Sequence, residues 1–282
     1  MGLSVIIPVR NRVDTLVRAI TSVWADDDRT RVVVVDDGSD RPVSESLPNE
    51  VLERVELVRS DRWIGVSAAR NLGIRSSETE LVSFLDSDDE VLDGWAAGLV
   101  AGIAAADVIC CGAEIRSETD TEVRLPRSLG PVYNHVSGLF LAGTYAVRRS
   151  LLDAVGGFDE RFRFSENTDL ALRLTAATTS IATIDRPLMR VHHRGRREEH
   201  DEGRYLGASL MVQEHRSRLA RDPAHLAAYF SIISVGAERQ GHLWAAISAQ
   251  ARALRLQPSW RNLVRVGRPV VRTALSRLRR AP

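Results

Sequence analysis

A chain of 282 residues with 44% hydrophobic and 27% charged side chains and 10 prolines can bury a large core, which excludes a disordered, fibrous or disulfide-stapled protein. Its formal net charge of +1 provides no whole-protein basic field, so no nucleic-acid partner is expected. All 38 basic residues are arginine, a bias of coding composition to which no function is attached.

The first 115 residues alternate short β-branched runs with helical periodicity, the pattern of βαβ units around a mainly parallel sheet. The expected strands are "LSVIIPV", "RVVVVD", "RVELVRS" and "LVSFLD". Leu16, Ala19, Ile20, Val23 and Trp24 recur at helix spacing between the first two and form one apolar face. Further helices are expected from Ser67 through "AARNLGI" and through "WAAGLVAGIAAA". The last of these stops at Asp107, too short and too alanine-rich to span a bilayer, and no charged leader precedes "LSVIIPV". Cys110 and Cys111 are adjacent in the strand "DVICCGAEI", where neighbouring side chains point to opposite faces and pair poorly. A reducing, cytoplasmic setting is the expectation.

The polar stretch from Arg116 to Asn134 reads as loops or a β-excursion. "LLDAVGGFDERF" reads as a helix stopped at Gly156 and Gly157, a second helix starts near Glu166, and "SIATIDRPLMRVHH" is extended and interrupted by Pro187. From Glu198 the chain reads as helical, with a helix hairpin turning near Gly241. The expected division is a catalytic domain over 1–200 and a helical C-terminal region over 201–282. Arg261, Arg265, Arg268 and Arg272 fall along one side of a helix in its arginine-rich tail. That side is either a peripheral contact with an anionic surface such as the inner membrane leaflet or simply a solvated face.

Chemistry concentrates at strand ends. In open α/β sheets ligands bind beyond the carboxyl ends of strands, and "SFLDSDDE" delivers Asp86 and Asp88 there. Paired carboxylate oxygens suit a hard divalent cation completed by water and phosphate. An EF-hand starting at Asp86 fails because Val91 and Ala97 occupy the Gly and Glu positions, and no Cys/His spacing suits zinc. A phosphatase of the haloacid dehalogenase type would have Asp89 at the wrong place. "VVVVDDGSD" brings Asp36 and Asp37 to a second strand end, able to accept from a nucleobase or ribose, and "IIPVRN" brings a third. A sugar nucleotidyltransferase would need a glycine-rich loop that "IIPVRNRVD" lacks.

Six motifs, "SVIIPVRNR", "VVVVDDGSD", "GVSAARNLGI", "VSFLDSDD", "GGFDERF" and "DLALRL", resemble in order and spacing the family-2 glycosyltransferases of GT-A fold, over residues 3 to about 193. The resemblance implies an α/β, Rossmann-like, mainly parallel twisted sheet flanked by helices, here with a C-terminal helical extension. It implies an inverting enzyme moving a sugar from a nucleoside diphosphate donor, probably UDP-linked, to an acceptor hydroxyl, with Mg²⁺ or Mn²⁺. The acceptor, a glycan, a lipid-linked molecule or a natural product, is left open. By the same resemblance Pro8, Val9 and Arg10 line the nucleoside pocket, and Asp36 or Asp37 reads the base. Ala69, Arg70 and Asn71 pass near the donor sugar and diphosphate, while Asp86 and Ser87 contact donor or metal. Asp88 binds the metal, joined by His192 of the "MRVHH" segment that also holds Arg190, with His193 as the fallback.

One letter departs from the family. Its usual Glu-Asp is Glu166-Asn167 here, and an amide cannot take a proton at neutral pH. Glu166, next to the missing Asp and one methylene longer, becomes the candidate base. The other reading of the same letter is a catalytically degenerate nucleotide-sugar-binding or scaffold protein.

Overall fold

A computed structural model describes residues 2–192, 199–260 and 262–264; the expectations for His193 and for Arg261, Arg265, Arg268 and Arg272 lie outside them. Two compact units are resolved: Met1–Leu129 with Tyr133–Gly195, and Gly130–Val132 with Arg196–Pro282.

The first unit opens with β1 (Leu3–Val9), α1 (Val13–Asp26), β2 (Arg31–Asp37), α2 (Asn49–Leu52), β3 (Glu56–Ser60), α3 (Val66–Ser76), β4 (Leu81–Phe84), β5 (Glu90–Val91) and α4 (Trp95–Gly102). It continues with β6 (Val108–Arg116), β7 (Thr121–Arg124), β8 (Arg127–Ser128), β9 (Ser137–Gly138), β10 (Tyr145–Arg148), α5 (Arg149–Val155), α6 (Glu166–Ala177) and β11 (Ile181–His192). Among the described residues a nine-stranded sheet runs β3-β2-β1-β4-β10-β6-β11-β5, with β7 paired to β6. The β3-β2-β1-β4 half is parallel, whereas β10 runs antiparallel to both β4 and β6, making the second half mixed. The excursion expected after Arg116 takes the form of β7 on the sheet and a β8–β9 pair.

Strand alternation sorts the core into two faces. Val5, Ile7, Val9, Val32 and Val34 pack with Leu16, Ile20 and Val23 of α1. Ile6, Val33, Val35, Val82 and Phe84 pack with Ala69 and Ile74 of α3, Leu152 of α5, Leu170 and Leu174 of α6, and Tyr145. A Cβ on Gly73 would sit 2.4 Å from Ile6 Cγ2, so the missing side chain lets α3 approach the sheet. With α3, α5 and α6 on one face, the N-terminus of α6 and the middle of α3 converge on the end of β4.

The second unit holds α7 (Glu199–Leu219), α8 (Pro223–Arg239) and α9 (Leu243–Leu256). Asp222 caps α8 by accepting from the amides of Ala224 at 3.0 Å and His225 at 3.2 Å, with Pro223 at the first helical position. The turn between α8 and α9 falls at Gly241, φ +80°, where the sequence placed it. No described helix is long and apolar enough to cross a membrane.

Candidate active site

β4 carries Val82 and Phe84 on the face covered by α3, and Asp86, two residues on, meets that helix at Arg70. The Arg70 guanidinium is buried, with 1% of the side chain exposed, and forks between two carboxylates. One nitrogen donates to Asp86 Oδ1 at 2.7 Å and the other to Glu166 Oε1 at 2.9 Å. Burial disfavours its charge, but Asp86 and Glu166 outweigh burial and raise its pKa above the ordinary value. Its Nε–H is buried without an acceptor, an orphaned donor inside the site.

Glu166 is the first residue of α6, where the helix dipole favours a negative group. Its Oε1 also accepts from Asn167 Nδ2 at 3.0 Å, and Asn167 Oδ1 accepts from the Tyr145 hydroxyl at 2.8 Å. Asp169 is held by Arg173 at 2.5 Å, as their spacing of four on a helix suggests.

The acidic turn after β4 is unequal. Asp88 pairs with Arg12 at 2.8 Å, and its carbonyl accepts from Arg18 at 2.7 Å. Asp89 is buried and accepts from the His192 amide at 2.8 Å. Burial, with the charges of Asp86 and Asp88, pushes its carboxyl up to about 8. Ser87 is buried between them. The carboxylates of Asp86 and Asp88 are hard oxygen donors of the kind a divalent cation takes, each with one oxygen paired to an arginine in this structure. Among the described residues no three His, Cys, Asp or Glu side chains form a complete metal set, so donor and water oxygens would have to complete one.

At the second strand end, the Asp36 carboxylate accepts from the amides of Ser39 at 2.9 Å and Val43 at 3.1 Å and pairs with Arg59. Asp37 accepts from Ile64 N at 2.7 Å and Gly65 N at 3.0 Å, anchoring the entry to α3. Burial raises the pKa of Asp37 against those bonds. Arg10, just past β1, lies 5.0 Å over the exposed Trp63 ring, and Arg163 lies 4.3 Å over the same ring.

Three of the expected site residues have other surroundings in this structure. Asn71 is turned away from the strand ends: it accepts from Phe158 N and donates to Phe158 O, both at 2.8 Å, bracing the segment after α5. Ala69 is 0% exposed in the core, one helix position from Arg70 and so about 100° around the axis. His192 does not join Asp88, because its Nε2 lies 2.5 Å from Glu90 Oε2, and Arg190 pairs with Glu114 across the sheet. Pro8 and Val9 are buried at the end of β1, Val9 with its side chain in the α1-side core. Sequence reasoning missed Tyr145, Trp63 and Arg163. Only the unusual Trp in "DRWIG" carried any signal.

Residues 4–158 match the family model described as Glycosyl transferase family 2, and the chain belongs to that family. It is 32% identical over 229 residues to the Pre-mycofactocin glycosyltransferase of Mycobacterium tuberculosis, covering 77% of this chain and 43% of that protein. It is 32% identical over 193 residues to the Succinoglycan biosynthesis protein ExoU of Rhizobium meliloti, covering 61% and 56%. The chain thus spans about half the length of these relatives. Among solved structures, S. aureus TarS 1-349 in complex with UDP superposes with a TM-score of 0.66 at 20% identity, over 92% of this chain and 81% of that one. The UDP-GlcNAc complex of the same protein gives 0.62 at 19%, over 92% and 82%. The fold is GT-A, with a helical C-terminal region.

Proposed function

We propose that the protein is an inverting glycosyltransferase that takes a sugar from a nucleoside diphosphate donor, UDP-linked, and passes it to an acceptor hydroxyl. The observation that carries this reading is Arg70, which ties a strand-end carboxylate, Asp86, to a helix-terminal carboxylate, Glu166. Asp86 lies where donors bind in such sheets, and Glu166 is a proton acceptor beside it. The complexes with UDP and UDP-GlcNAc of a protein sharing the fold support the donor class.

Both bonds to Glu166 fall on Oε1, so Oε2 is the oxygen that takes the proton as the acceptor oxygen attacks the anomeric carbon. Attack opposite the departing diphosphate inverts that carbon. The bond to the diphosphate breaks with its electron pair on the leaving oxygen, whose charge cationic groups at the strand ends would meet. Asp88 and Asp86 would hold Mg²⁺ or Mn²⁺, which when bound supplies a Lewis acid for the same charge. Asp37 fixes the loop after Trp63 by accepting from Ile64 N and Gly65 N, and that loop would border the base end of the donor.

The test is UDP release from a panel of UDP-sugars with Mn²⁺, with the anomeric configuration of any product read by NMR. Glu166→Gln should lower turnover by about two to four orders of magnitude while UDP binding persists. Full turnover in that variant, or a retained configuration, refutes the mechanism.

A further inference from the structure

Resting on the reading of Glu166 as the base, we propose that Asn167 and Tyr145 are positioning residues that lock the Glu166 carboxylate and leave its second oxygen facing the acceptor. Asn167 is then the partner that the shifted base requires, and not the remnant of a lost one.

The polarity of the contacts fixes the amide. A carboxylate only accepts, so the group of Asn167 beside Glu166 Oε1, 3.0 Å away, is its NH₂. The amide oxygen then faces Tyr145, whose hydroxyl donates across 2.8 Å. Burial holds that hydroxyl well above its ordinary pKa, against the opposing pull of Arg70, so it stays a donor. Tyr145 cannot swing: it is 0% exposed, with its ring centroid 5.8 Å from that of Phe84 and 5.3 Å from that of Phe140. The order of constraint is therefore packed rings, hydroxyl, amide, carboxylate. Arg70 fixes the same Oε1 from the opposite helix at 2.9 Å. An aspartate at 167 would accept from Tyr145 equally well but would set a second carboxylate against Glu166, and two such groups cannot both ionise cheaply. The amide supplies a donor without a charge.

The experiment uses the full chain with ¹³C-carboxyl-labelled glutamate, the Glu166 resonance being assigned by its loss in Glu166→Gln. Asn167→Ala removes the direct contact and should move the Glu166 resonance. Tyr145→Phe, which keeps the packed ring and removes a hydroxyl that bonds Asn167 and not Glu166, should move it as well. The double variant should place it where Asn167→Ala alone does. A Glu166 resonance unmoved by Tyr145→Phe overturns the proposal, whether or not a donor has been found. With UDP-glucose, UDP-galactose and UDP-GlcNAc as probes, kcat for UDP release should fall about tenfold in Tyr145→Phe and about 100-fold in Asn167→Ala at unchanged KM. Adding Asn167→Ala to Glu166→Gln should cost nothing further, because the positioned group is already gone. Full turnover in Glu166→Gln would remove the base assignment while the resonance still decides the positioning. Loss in Glu166→Gln with full turnover in the other two variants would remove the positioning alone.

Discussion

Replacing Arg70 by leucine isolates the electrostatic centre of the site. The guanidinium is 1% exposed and serves Glu166, 15% exposed, and Asp86, 44% exposed. Removing one partner of a buried pair costs about 3–5 kcal/mol, mostly the penalty of the charge left behind. The Glu166 arm falls in that class. The Asp86 arm is half in solvent and contributes at most about 1 kcal/mol. Leucine recovers some packing against Phe158, whose ring lies 5.2 Å from the guanidinium carbon, so the net loss should be about 3 kcal/mol. At a denaturant slope of about 2 kcal/mol per M, the urea midpoint falls by about 1.5 M. Hydrogen exchange at α3 and α6 reads this in the sheet-containing unit alone. The double variant Arg70→Leu with Glu166→Gln should regain about 1–2 kcal/mol, because a neutral amide is cheaper to leave unpaired than a carboxylate. A midpoint unchanged in Arg70→Leu, or a double variant no more stable than the single one, refutes the claim that Arg70 neutralises Glu166.

Asp88→Ala should abolish the Mn²⁺ enhancement of UDP binding measured by calorimetry; enhancement of unchanged size rules out Asp88 as a metal ligand. Gly38→Ala should destabilise by about 2 kcal/mol or more, since φ is +63° and the added carbon would lie 2.4 Å from the backbone of Arg62 and Trp63; a neutral effect in urea unfolding contradicts the locked loop. Burial pushes the Asp36 carboxyl up, but bonds from Ser39, Val43 and Arg59 outweigh it, and its pKa lies below the ordinary 3.8. Its stabilisation is therefore full above 3.8 and lost as pH falls through the lower folded value, so Asp36→Asn should flatten the acid limb of the stability curve below about pH 4. An acid limb of equal slope in both proteins would exclude it. Deleting residues 261–282 should abolish co-sedimentation with anionic liposomes at low salt, and full-length protein that stays in the supernatant ends the membrane reading.

What the sequence made legible was local. β1 and β2 are runs of β-branched residues buried on both faces, and α1 shows its apolar stripe at helical spacing, so each announces itself within one window. The paired residues of β5 and the four of β10 are too short to show a period, and β10 was missed together with Tyr145. "LVSFLD" read as strand to its end, whereas β4 ends at Phe84 and Asp86 beyond it turns to Arg70. The pairing of His192 with Glu90 was not legible, because the extended run from Ile181 shifts register on both sides of Pro187, which a residue count cannot follow.

The site was legible as a set of strand ends but not as a network. Arg70 meets Glu166 across 96 residues of chain, and Tyr145 meets Asn167 across 22, separations at which no motif spacing encodes contact. Helix geometry already held one correction within "AARN": Ala69, Arg70 and Asn71 diverge by about 100° each, so only one of the three can face the strand ends. The charged side chain goes there because two carboxylates compensate its burial, and the alanine goes to the core. Asn71 goes to a backbone segment that needs both a donor and an acceptor. The same logic reinterprets Asn167. Read as a letter in a motif, it is a carboxylate lost; read by its neighbours, it stands between a donor and an acceptor, and an amide meets each with one of its two groups.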